Sequence, residues 1–332
     1  TAFFVAGTQL LNSTRRVNIF LGLIVFSGLM QALYGSYMVV TGLEYGFLEE
    51  KFAYQGAATD TFVNRNHLAA YLVLALVALV SLVLNYLGTA NTKDLKLKAF
   101  VLIGLALTIL TGLLLTQSRM GFISMLASMV CLVVIGFRFM RQQMKYMPYI
   151  LVALSLVLLI SNFALGEQNV FKRIQNTQIE QTLRVDIFGN TLPAIKEHLL
   201  MGTGAGTFYT VYPSYSSPIA GHGFVEHAHN DYAEFILERG IVGCLPLIAF
   251  IGLTILSALN KLRSNTYSYQ VEGLLILMSL SAIGVHSISD FSLQIPAYAL
   301  TFIALLSLAY TQKASVALIR SAVSNHPAEC AE

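Results

Sequence analysis

Apolar runs close to the roughly 20 residues that cross a bilayer as a helix recur along the chain at 17–40, 67–87, 99–115, 121–137, 147–165, 240–259, 274–288 and 297–310. This pattern predicts eight spans, with 1–11 as the end of a ninth. The first residue is Thr, inside an apolar segment that lacks the pattern of a signal peptide, so further helices are expected before it. The expected fold class is therefore all-α, a polytopic transmembrane helical bundle. One polar interval is long, at about 65 residues from 166 to 230. Within it Leu183, Ile187, Leu192, Ile195 and Leu199 recur at helical spacing, predicting a helix over 182–200 with Pro193 as a kink. "MGTGAGTF" then predicts a tight turn, its Gly202, Gly204 and Gly206 serving either the turn or a close backbone approach to a substrate. The aromatics between Phe208 and Phe224 argue for a folded loop rather than a solvated linker. Transmembrane helices over 1–165, an outer loop with the motif discussed below over 166–239, further transmembrane helices over 240–311 and a tail over 312–332 are the expected divisions.

Composition agrees with a membrane protein: 56 % of residues are hydrophobic and 11 % charged, against roughly 25 % charged in soluble domains. The net charge of +3 is dispersed, which argues against a nucleic-acid partner. Cys131 and Cys244 fall in predicted spans and Cys330 in the tail, so no disulfide framework is implied. Basic residues orient the chain. Arg15 and Arg16, then Lys93, Lys96 and Lys98, then Arg138, Arg141 and Lys145, then Lys261 and Arg263, then Lys313 and Arg320 occupy every second connection, the cytoplasmic mark. The long loop falls on the other side.

That loop ends in "HAHNDYAEFILERGIVG", 227–243. Asp231 is predicted to cap a helix with Glu234 as its reciprocal partner, giving a short helix over 230–239 in the outer interface. Gly240 would end it and Gly243 would permit close packing into the next span. His229 then sits just before a helix N-terminus, whose positive end keeps an imidazole neutral and fit to act as a general base. The plainer alternative is a His that caps the helix or bonds within the loop. Two arginines share its side of the membrane, Arg119 in "LTQSRMGF" and Arg184 in "QTLRVDIF". Guanidinium groups bind diphosphates bidentately, so a base with two arginines suits a lipid diphosphate. Against this, Arg119 serves equally as an anchor that snorkels to headgroups, and Arg184 as a partner of Asp186 or Glu180. His222, His227 and His229 with Glu226 match no established zinc spacing, and no metal is expected. His286 and Asp290, four apart, either line the cavity or pair with each other. Asn64, Arg65, Asn66 and His67, at an outer helix mouth, are candidates for contacting sugar or headgroups.

"HNDYAEFILERGIVG" fits the pattern His, Asn/Ser/Gln, nine residues, then Gly-x-x-Gly/Thr/Tyr. With "FVNRNHLAAYL", "LTQSRMGF", "LPAIKEHLLMGTGAGTF" and "HSISDF", the chain from about 62 to 291 resembles the bacterial O-antigen ligase and polymerase superfamily. The resemblance implies an inner-membrane, metal-independent glycosyltransferase of the type C class that needs no cofactor. It would move a glycan from undecaprenyl diphosphate to an acceptor hydroxyl at the periplasmic face, inverting the anomeric centre. His229 would be the general base, with Arg119 and Arg184 holding the diphosphate. Asn230, Asn66 and Arg65 would line the substrate site, Gly240 and Gly243 shape the motif, and His286 and Asp290 support it from behind. Ligation to lipid A-core leads; chain polymerisation onto a growing glycan and transfer to a protein hydroxyl share the same donor chemistry. A transporter of anions or lipid-linked sugars is the alternative from another class, and would show charged or broken helices near the midplane.

Overall fold

The computed structural model describes residues 1–46, 49–87, 95–141, 170–216 and 225–312. The predicted span 147–165, the tail beyond 312, and His222 and Phe224 lie outside them. The described helices are α1 (Ala2–Leu10), α2 (Thr14–Thr41), α3 (Arg65–Leu87), α4 (Leu95–Leu115), α5 (Arg119–Phe139), α6 (Val170–Glu197), the single turn α7 (Phe208–Val211), α8 (Asp231–Leu262), α9 (Tyr267–His286) and α10 (Pro296–Ser307). The described residues contain no strand, only one isolated bridge between Tyr45 and Glu50. α2, α3, α5, α8 and α9 are long and apolar enough to cross a membrane, and shorter apolar stretches fill α4 and α10. The protein is a multi-pass, all-helical membrane protein.

α3 is the hub. From Leu68 to Leu79 every side chain is buried, as expected of a helix that is apolar all round, because α2, α4, α5 and α9 pack around it. The outer helices turn their larger apolar residues away from this hub. On α2, Val17, Leu21, Ile24 and Ala32 face inward while Ile19, Leu23, Phe26, Met30, Leu33 and Tyr37 are exposed. Without a hydrophobic drive between helices in lipid, small residues set the contacts: Gly121 of α5 lies directly against Ala69 of α3. That contact brings the head of α5 beside the head of α3.

The ends of the bundle differ in character. One gathers Arg15, Arg16, Arg138, Lys261 and Arg263 at helix termini, with Lys261 Nζ 2.7 Å from Glu272 Oε2 and Asn85 bonded to Asn18 at 2.8 Å. At the other, α3, α5 and α8 begin and α9 ends. Helix boundaries moved where polar residues are compatible with helix. α9 starts at Tyr267, seven residues before the predicted 274, because Tyr267, Tyr269, Gln270 and Glu272 join it.

The outer loop is folded, around a second small core of Ile187, Ala194, Phe208, Tyr212, Ala228 and Leu237. α6 runs through Pro193 to Glu197. Its buried face is made by Ile187, Thr191 and Ala194, while Leu192 and, in the turn beyond the helix, Leu199 are exposed.

Candidate functional site

α8 opens differently from the expected capping box. The cap is Asn230, whose Oδ1 accepts the N–H of Ala233 at 3.0 Å. Asp231, expected in that role, is buried at 1 % exposure. Its Oδ2 accepts the Ser287 hydroxyl at 2.8 Å, and its N–H donates to the carbonyls of Ser287 and Asp290 at 3.0 and 3.2 Å. The head of α8 is thus stitched to the loop that follows α9. Glu234 does not close a reciprocal box. It reaches back, Oε1 2.8 Å from His227 Nδ1 and Oε2 accepting the N–H of Ala228 at 2.9 Å. The helix therefore does not lie on the surface: Asp231, Glu234, Leu237 and Glu238 are all buried.

α8 breaks at Gly240, which has φ 61° and ψ −179°. The turn after α6 fills the break. Ile241 and Val242 donate to the carbonyls of Leu199 and Leu200 (2.8 and 3.2 Å), and Thr203 and Gly204 donate to those of Leu237 and Glu238 (2.9 and 2.8 Å). These four bonds stand in for helical bonds lost at the break, as buried backbone requires. A Cβ on Gly240 would stand 2.5 Å from the nitrogen of Gly202, and one on Gly202, itself at φ 71°, 2.5 Å from the nitrogen of Gly240. The close approach offered by "MGTG" is made to the motif's own glycine.

His229 sits at φ 49°, a left-handed conformation uncommon outside glycine and often found at functional sites. Its Nδ1 is 4.0 Å from Asp290 Oδ1, and His67, from the first turn of α3, places Nε2 3.4 Å from the same oxygen. Phe291 is the common platform. His227 stacks on it at a centroid distance of 4.2 Å, while His67 and His229 meet it edge-on at 4.6 and 5.0 Å. Arg184 reaches the same loop from α6, its Nη1 donating to Ser289 O at 2.8 Å and Oγ at 3.0 Å. It does not pair with Asp186.

Burial lowers the His229 imidazole to about 4, opposed by Asp290 and assisted by Arg184, His227 and His67. His227, two residues away, goes the other way. Burial would lower it, but the Glu234 carboxylate, with Glu226 and Asp231, outweighs that and raises it. Burial would raise Asp290, yet His67, His286 and Arg184 hold it well below the usual carboxylate range. Burial and neighbouring charges thus push the titrations of these groups apart. Replacing Phe291 with alanine is expected to wet the pocket and return His229 toward its ordinary value; the pH dependence of its modification by diethyl pyrocarbonate, read by mass spectrometry, checks this.

The remaining expected residues divide. Arg119 heads α5, is exposed, and has no ion-pair or hydrogen-bonding partner among the described residues; it shares the end of the bundle where His229 lies. Arg65 stands over the ring of Tyr54 at 5.2 Å, and Asn66 is buried, its N–H donating to Asn64 Oδ1 at 2.8 Å. His286 is buried at the foot of the cluster, four residues before Asp290. Gly243 lies against the Cβ of Arg239. The sequence reading missed His227, Glu234 and Phe291 as parts of one assembly. "HAH" and "HSISDF" held them, but nothing local signals that a phenylalanine carries three imidazoles.

Residues 103–248 match the family model described as O-Antigen ligase. This match supports a place in the O-antigen ligase superfamily. The match takes in Arg119, Arg184, His229, Gly240 and Gly243, while His67, Asp290 and Phe291 lie outside it. No curated protein matches the chain. The match indicates a glycosyltransferase-type enzyme of the O-antigen ligase and polymerase kind.

Proposed function

We propose that the protein transfers a glycan from undecaprenyl diphosphate to an acceptor hydroxyl at the periplasmic face of the inner membrane, with ligation to lipid A-core as the leading case. The observation that carries this is one cluster. An unprotonated His229, a carboxylate behind it and Arg184 anchored beside both meet where α3, α5 and α8 all begin. Helix N-termini and arginines favour an anion there. His229 takes the acceptor proton as the oxygen attacks the anomeric carbon. The glycosidic bond to the diphosphate breaks on the opposite face, inverting the centre, and Arg184 and Arg119 stabilise the departing diphosphate. The imidazolium so formed faces Asp290, in the manner of a base supported by a carboxylate. Donor binding assists: a diphosphate beside Arg184 offsets the cation that helps depress His229, and so raises its basicity when substrate is present. All these groups come from side chains, with no metal or cofactor given a role.

A transporter would place charged or broken helical elements near the midplane. The break at Gly240 is closed by backbone bonds to the outer loop, which favours the enzyme reading. The test is transfer from a purified lipid-linked glycan by the full chain in liposomes, offering lipid A-core, a glycan chain or a protein as acceptor. Transfer to lipid A-core is expected; growth of the glycan alone moves the assignment to a polymerase, and no transfer to any acceptor overturns it. Arg184→Lys keeps charge but loses the fork, and is expected to lower kcat/KM for the donor about 10- to 100-fold, the worth of one charge-assisted hydrogen bond. Arg119→Ala is expected to fall in the same range, with Tm unchanged because its side chain is exposed.

A further inference from the structure

α6 carries a second apolar face that is exposed among the described residues. Val185 (68 % exposed), Phe188 (39 %) and Leu192 (39 %) recur at i, i+3 and i+7 spacing on one side of the helix, and Leu199 (40 %), Leu200 (67 %) and Met201 (77 %) extend the row into the turn. Ile187, Thr191 and Ala194, on the inner side, account for the helix's own packing. Lys196, exposed, stands on the same side between Leu192 and Leu199, where its long stem lets the ammonium reach the headgroups.

The stripe is continuous with a surface already assigned to lipid. Val242 donates to the Leu200 carbonyl and Ile241 to that of Leu199, so the end of the stripe abuts the upper part of the α8 span. There Ile241, Val242, Leu245 and Ile248 are 44 to 62 % exposed, facing outward from the bundle. A contiguous apolar surface of this kind marks an interaction site. A helix with one apolar and one polar face, an exposed lysine and continuity with a transmembrane surface fits the plane of a membrane interface.

We propose that the outward stripe of α6, from Val185 to Met201, is inserted in the bilayer leaflet on the site's side, so that the outer loop rests in the membrane surface. Arg184 immediately precedes the stripe and is bonded to Ser289. Insertion therefore sets the height above the lipid of both the guanidinium and the loop that carries Asp290. This placement is independent of the reaction proposed above.

The chain contains no tryptophan, so a single introduced one reports without background. Phe188→Trp, Leu192→Trp and Met201→Trp, each in the full chain reconstituted in phosphatidylcholine vesicles, are compared with Ile248→Trp on the span and Asn190→Trp on the polar side of α6. The first three are expected to emit at shorter wavelength than Asn190→Trp. They are also expected to be quenched by brominated phospholipid as Ile248→Trp is, and to resist aqueous iodide. Quenching by iodide to the extent seen for Asn190→Trp, with no effect of brominated lipid, overturns the proposal. So does protection from both quenchers, which shows protein covering the stripe, whether a second copy or another segment of this chain. Phe188, Leu192, Met201 and Ile248 are exposed and Asn190 is half-buried, and the Ile248→Trp signal shows that reconstitution has succeeded.

Discussion

His229→Ala is expected to lower the transfer rate by about 10²- to 10⁴-fold, the contribution of a positioned general base, while leaving Tm nearly unchanged. The side chain is partly exposed, makes no hydrogen bond through Nδ1 and touches Phe291 only at its edge, so the fold loses little without it. A His serving only to hold the loop predicts the reverse, a lower Tm with activity retained at low temperature. The pH dependence separates these further. Protonation removes the base, so activity must fall as pH falls through the pKa of His229. In free enzyme that value is about 4, and kcat/KM is therefore expected to hold level across the neutral range and fall only toward it. kcat reports the substrate complex, in which the bound diphosphate opposes Arg184, and its acid limb is expected at higher pH. Both limbs should vanish in the alanine variant; unchanged profiles and rates would return His229 to a structural role.

Gly240→Ala is expected to have the largest effect on stability. The position combines a φ of 61° with a Cβ that would stand within 2.5 Å of backbone in the turn after α6. Left-handed strain in a residue with a side chain costs about 1–3 kcal/mol, and moving the turn away breaks backbone bonds worth about 0.5–1.5 kcal/mol each. A total loss of about 3 kcal/mol or more follows, read as a lower Tm in detergent and little folded protein on size exclusion. Gly189→Ala is the control. It lies in α6 with nothing within 4 Å of the added carbon, and alanine in a helix interior is expected to stabilise by up to about 1 kcal/mol. Equal Tm values for the two variants would show that the crossing with Gly202 is not held in solution.

The spans were legible because lipid demands long apolar runs, whatever packs beside them. Arg119, Arg184 and His229 were legible because a charged or titratable group stands out against that background. The cap of α8 was read one residue late, since local rules favour Asp231 and Asn230 alike; the choice is made by Ser287 and Leu293, more than fifty residues on, which take the Asp231 carboxylate. The helix over 182–200 was legible from its apolar spacing, but spacing alone does not say which face packs: α6 buries Ile187, Thr191 and Ala194 and leaves Leu192 exposed. His67 stood out at its helix mouth, but its meeting with Phe291 was beyond reach, because only the packing of α3 against α9 and its following loop brings them together.

The crossing of Gly202 and Gly240 also has a bearing on the order of assembly. It joins 199–204 to 237–242, stretches on either side of the aromatic part of the loop, and its second half is the start of the next span. The loop cannot lock until that span has been synthesised and has entered the membrane. During biogenesis Arg184 and His229 are therefore brought together late, and a nascent chain remains inactive until its threading through the bilayer has passed that point.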